Sequence, residues 1–145
     1  MRMNAQKGIK MYVKDHEWYL YPNFQRHEFK CSHTGQAKMQ HKFMQRLQRC
    51  REDCDFPFFI NSGYRDPTHP IEQRKNEPGE HTYGLACDIA IYGAKARILI
   101  ALAIEAGFPR IGIKQHGTVS SRFVHLGLAK VEDGFVSPTV WTYPN

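Results

Sequence analysis

The chain has no apolar run long enough to cross a bilayer, so helical membrane insertion is not expected. Its basic N-terminus, Met1-Arg2-Met3-Asn4-Ala5-Gln6-Lys7-Gly8, has no apolar segment behind it, so a Sec-type signal peptide is not expected either. Such a protein is made in the cytoplasm and works there, or reaches its target by lysis or on a particle. Cysteine is scarce. Cys31, Cys50, Cys54 and Cys87 are too few and too scattered for a disulfide-built scaffold. No fourth ligand follows them at finger-like spacing, and free, partly buried thiols are the expectation. A dense basic run is also missing. The formal charge of +6 suits a polyanion such as cell wall, nucleic acid or acidic lipid, and the even spread of Lys and Arg argues against nucleic acid.

What is present is ordinary for a globular protein. The 145 residues are 41% hydrophobic and 23% charged, enough for one domain with its own core. Residues 1–10 read as a polar arm, and 11–13 and 18–21 have strand-like content that suits a small hairpin. From Ala37 to Asp53, Met39, Phe43, Met44, Leu47 and Cys50 recur at helical spacing. Phe58-Phe59-Ile60 reads as a core strand leading into the loop Asn61 to Pro67. Three prolines between 66 and 80 predict an irregular surface loop. A helix is expected over Ala94–Ala106, apolar nearly all round and therefore buried, with Gly107 and Pro109 as its stop. Strands follow at Arg110–Lys114 and Arg122–Leu128, and the tail around Trp141 folds back on the core.

The stretch that concentrates chemistry is Pro78 to Ile91. His81 stands seven residues before Asp88, and Asp88 sits in the apolar run Ala-Cys-Asp-Ile-Ala-Ile, which reads as a buried strand. A carboxylate there costs several kcal/mol unless a positive partner meets it. Backbone amides or an arginine could be that partner, and so could a divalent metal. Zinc accepts imidazole nitrogen and carboxylate oxygen, and a catalytic site uses three protein ligands. Strand alternation places Phe123, His125 and Gly127 on one face, so His125 is the candidate third ligand beside His81 and Asp88.

With those residues identified, the chain resembles the D-Ala-D-Ala carboxypeptidase-like zinc peptidases, which include vancomycin-resistance dipeptidases, phage endolysins and murein endopeptidases. The resemblance rests on Ser62-Gly63-Tyr64-Arg65, on His81-x-x-Gly84-x-Ala86-x-Asp88, and on Phe123-Val124-His125. Glu28-Phe29-Lys30-Cys31 and Trp141-Thr142-Tyr143 look like the smaller, phage-rich branch. It implies an α+β fold of the hedgehog and DD-peptidase type, a small antiparallel sheet with helices on one face. It spans residues 24–145, leaving 1–23 as an arm or small extension available to phage structural proteins. It implies Zn2+ on His81, Asp88 and His125, with Arg65 engaging substrate or transition state. The implied activity is hydrolysis of peptidoglycan stem peptides or cross-links, after lysis or from a phage particle, with no nucleic acid and no membrane insertion.

One departure stands out. Relatives carry an acid as general base three before or two after the last ligand, and here those places are Arg122 and Gly127. His116 is the candidate substitute, with Glu80 and Asp133 behind it. Gly79 replaces the serine that often stands two before the first ligand. The alternative reading is a structural or wall-binding protein that keeps the fold without turnover.

Overall fold

Five short strands build one sheet: β1 (Phe59–Ser62), β2 (Ala86–Ala90), β3 (Arg110–Lys114), β4 (Phe123–Gly127) and β5 (Thr139–Thr142). They lie in the order β1-β2-β4-β3-β5. The computed structural model describes residues 11–145, and the arm expected over residues 1–10 lies outside them. The α+β fold is as expected. The sheet differs from the expectation at one edge, where β5 joins β3 in parallel while the other pairs are antiparallel. The tail returns past Pro138 in the same direction as β3, so its edge pairing cannot be antiparallel.

Alternation divides the sheet into two faces. Cys87, Ile89, Ile111, Val124 and Leu126 point into the core. Against them lie helix α1 (His41–Cys54) and the last helix, α3 (Gly93–Glu105), which pack on each other. Helix α1 buries Phe43, Met44, Leu47, Cys50 and Cys54 along one stripe. It starts four residues later than its periodicity suggests. The backbone before it is extended, with Gln40 bridged to Tyr12 and the Met39 carbonyl accepting from the Val13 amide. Helix α3 is less buried than expected: Ala96, Leu99 and Ala103 face the core, whereas Ile98 and Ile104 are exposed. Its small residues make the close contact, and the larger isoleucines are left outside.

Two local expectations are corrected. The proposed hairpin at 11–21 is a 3-10 turn, Asp15–Leu20, that brings Trp18 onto Phe29 with ring centroids 5.5 Å apart. The loop over 66–80 contains a helical turn, α2 (Pro70–Gln73), with proline in its first turn and Glu72 buried. The four cysteines are free, and all are buried.

Another 3-10 turn, Glu80–Tyr83, delivers the chain into β2 and ends on Gly84 in the left-handed region, φ 69°. A Cβ at Gly84 would stand 1.9 Å from the Lys38 carbonyl oxygen, so two backbone segments touch where a side chain would be. Gly84→Ala is therefore expected to lower stability by about 3 kcal/mol, combining the left-handed penalty with displaced backbone. A urea midpoint that falls at constant m-value is the expected reading; an unchanged midpoint contradicts it.

Candidate metal centre

One rung of the sheet gathers the site. Asp88 on β2 pairs with His125 on β4, His125 with Gly112 on β3, and Gly112 with Trp141 on β5. On the other side, an irregularity between Ile60 and Ser62 sets Ser62 opposite Asp88. Bulges of this kind re-aim side chains beside sites. Gly112 is a close-approach position: a Cβ there would lie 2.7 Å from the Trp141 ring and from the Tyr143 hydroxyl. Its bare surface lets Trp141 lean across the sheet until its ring lies 5.1 Å from that of His125.

His81 reaches the same place from the Glu80–Tyr83 turn. Its Nδ1–H donates to the Gly63 carbonyl at 2.7 Å, which leaves Nε2 as a lone-pair donor, 3.5 Å from Asp88 Oδ2. His125 uses its nitrogens the other way round. Nε2–H donates to the Glu80 carboxylate at 2.6 Å, and Nδ1 lies 2.9 Å from Asp88 Oδ1. A carboxylate oxygen and an imidazole lone pair at that separation require a shared cation, either a proton or a metal ion. Donor atoms of His81, Asp88 and His125 lie within 4.8 Å of one another. Two imidazoles and a carboxylate are a donor set suited to zinc, and each imidazole has its other nitrogen anchored, as metal ligands do. The residues fit the ion.

The charges respond to this crowding. Burial opposes ionisation of Asp88, but His81 and His125 outweigh it and hold the carboxyl far below its usual range. Burial likewise opposes charge on His125, yet hydrogen bonds to Asp88 and Glu80 push it up to about 9. Burial, reinforced by the charge of Asp88, pushes Tyr143 up to about 12, so its hydroxyl keeps its proton.

The cluster lies in a cleft of about 380 Å3, whose walls include Arg65, Lys75, Arg110, Phe123, Trp141 and Tyr143. A larger groove of about 590 Å3, lined by Phe56, Phe59, Tyr92, Lys95 and Arg122, has no imidazole or carboxylate in its wall. The smaller cleft holds the chemistry. Arg65 is brought to it, with Nη1 on Glu72 Oε2 at 2.8 Å and Nη2 on Ser62 Oγ at 2.9 Å.

The candidate bases fare differently. His116 is not brought to the cleft wall, because its connection turns Nε2 onto the Tyr143 carbonyl at 3.1 Å. Asp133 caps the Lys130 amide on a separate turn. Glu80 lies against His125 and also accepts from Arg110 Nε at 2.9 Å and the Ala129 amide at 3.1 Å. Arg122 donates to the Gly117 carbonyl instead of entering the cleft.

Sequence reading missed Glu72, Lys75 and Arg110. Glu72 accepts from Arg65, from Lys75 Nζ at 3.0 Å and from the Gly79 amide at 2.9 Å. The one local hint was His69-Pro70 ahead of it, a helix-start signal inside an otherwise loop-like stretch. Arg110 lies between the Phe135 and Trp141 rings, 5.0 and 4.8 Å from their centroids.

A family model described as Peptidase M15 matches residues 22–127, which include all three clustered residues and Arg65. No curated protein matches the chain.

Glu72 is the buried anion on which the Arg65 side of the cleft rests, so Glu72→Gln is expected to cost about 3 kcal/mol at neutral pH. Burial works against its charge, but the Gly79 amide, Arg65 and Lys75 hold it below the ordinary 4.5. A depressed folded value means stability present above 4.5 and lost as the pH falls through that lower value. Urea titrations across pH should show a full gap between wild type and Glu72→Gln above 4.5 that narrows in acid. A gap independent of pH rules out the charge as its cause.

Proposed function

Because this chain belongs to the peptidase M15 family, we propose that it is a zinc peptidase that hydrolyses stem peptides or cross-links of bacterial cell wall. The observation that carries the proposal is the convergence of His81, Asp88 and His125 within 4.8 Å in an open cleft. Those three residues would hold the ion. Zinc in that position supplies Lewis acidity, polarising a carbonyl and acidifying water towards neutral pH.

The chain's own residues supply positioning and charge. Arg65, braced by Glu72 and Ser62 beyond β1, presents a planar fork suited to a substrate carboxylate or to the oxyanion that develops at an attacked carbonyl. Tyr143 follows β5 at the opposite edge of the sheet, and its protonated hydroxyl is a second donor to the cleft. Phe123, Phe135 and Trp141 give the cleft apolar wall segments against which a bound peptide can pack. The +6 charge favours approach to an anionic wall polymer. In this reading the protein acts at the wall, after lysis or as part of a phage particle.

One observation favours a second reading, a wall-binding or phage structural protein that has kept the fold. Among the described residues, the carboxylates in the cleft wall are Glu80 and Asp88, and both are engaged by the histidines. Neither is left free as a general base.

The two readings separate in one set of assays. The first expects stoichiometric zinc by elemental analysis and EDTA-sensitive release of new termini from purified muropeptides. His81→Ala, Asp88→Asn and His125→Ala should each abolish both. Arg65→Ala should keep the zinc and lose about 100- to 1,000-fold in kcat. His116→Ala should leave zinc and turnover unchanged. Zinc without cleavage selects the second reading, and absence of zinc from the wild type removes the peptidase.

A further inference from the structure

Gly127 lies two residues beyond His125 on β4, directly opposite Arg110 on β3. A Cβ built on it would stand 2.2 Å from Glu80 Oε2 and 2.3 Å from Oε1, so the Glu80 carboxylate occupies the volume that any side chain at 127 needs. That carboxylate is 2% exposed. A buried anion of this kind survives only if its acceptors are matched, and here they are. Arg110 and the Ala129 amide each donate to it, and His125 Nε2 makes its shortest contact, 2.6 Å.

A structural ion pair with Arg110 would be the plain reading of these contacts. It does not account for the contact with His125. An ionised carboxylate only accepts, so the nitrogen facing it must carry the proton. The other nitrogen, Nδ1, faces Asp88 Oδ1 at 2.9 Å, so it is the one left to offer its lone pair once a metal ion replaces the proton between the two. Rotating the ring would turn that donor away from Asp88 and His81.

We propose that Glu80 is a positioning residue for His125, fixing its Nε2–H tautomer so that Nδ1 is the metal donor, and that Gly127 is the vacancy this arrangement requires. The inference rests on the zinc reading above. It also gives Glu80 an occupation other than that of general base.

The test measures zinc dissociation constants by chelator competition on the intact protein, for wild type, Glu80→Ala, Glu80→Gln, Gly127→Ala and the Glu80→Ala/Gly127→Ala double variant. Glu80→Ala should weaken zinc about 10- to 100-fold, the range for loss of an outer partner to a ligating histidine. Glu80→Gln should lose less, because its amide oxygen still accepts from Nε2–H. Gly127→Ala should match Glu80→Ala although residue 127 does not contact the proposed ligand atoms. The double variant should be no worse than Glu80→Ala, since the displaced carboxylate is already gone. Long-range proton–nitrogen NMR of zinc-loaded protein should show a slowly exchanging His125 Nε2–H in wild type that is lost in Glu80→Ala. If Glu80→Ala does not fold, Glu80→Gln and Gly127→Ala carry the comparison. Wild-type affinity in all three single variants, or losses that add in the double variant, overturns the inference alone. A wild type that binds no zinc overturns the peptidase reading along with it.

Discussion

Asp88 and His125 face each other across one rung of the β2–β4 ladder, with a carboxylate oxygen and an imidazole nitrogen 2.9 Å apart. Two acceptors cannot be held at that separation in a buried place unless a cation lies between them. The rest of the site satisfies this constraint. His81 enters from the preceding turn with its Nδ1 committed to the Gly63 carbonyl, which leaves Nε2 for the same cation. The arrangement is built on strand and turn backbone, so its donors are positioned by the hydrogen-bond ladder of the sheet.

Three carboxylates are buried or nearly so around this rung, and each is balanced in a different way. Asp88 meets the two imidazoles. Glu80 is balanced by Arg110 and His125, and Glu72 by Arg65 and Lys75. The pairings follow from cost, because an unpaired ion in such positions would lose several kcal/mol of hydration. They also limit the chemistry, since a carboxylate tied to a histidine or an arginine is a poor proton acceptor. The cleft is rich in fixed cations and donors and short of free bases. That balance suits stabilisation of developing negative charge more readily than proton abstraction.

Much of this was legible in the residues. Asp88 within an apolar strand is a chemical contradiction that needs a partner, and strand alternation alone put His125 on one face with Gly127. Arg65 was identifiable through its loop motif. The misreadings have particular causes. Residues 11–13 and 18–21 have strand-like content that suggested a hairpin, but Asp15–Leu20 forms a 3-10 turn, because burying Trp18 against Phe29 outweighs local preference. Ile98 and Ile104 suggested a fully buried helix, whereas the small face of Ala96 and Ala103 is the one that fits against the core. His116 is near His125 in sequence, yet its ring is held on the Tyr143 carbonyl.

By itself, the sequence determined the donor set, the helical stripe of α1 and the strands that bracket the site, because residue chemistry and periodicity are local properties. Only the tertiary structure decided that Ser62, Asp88, His125, Gly112 and Trp141 share one rung, that Arg65 rests on Glu72, and that Glu80 fills the space beside Gly127. Those relations depend on strand register and on which side chains compete for the same volume. A slip of one residue would turn Asp88 into the core, and no local pattern records which register wins.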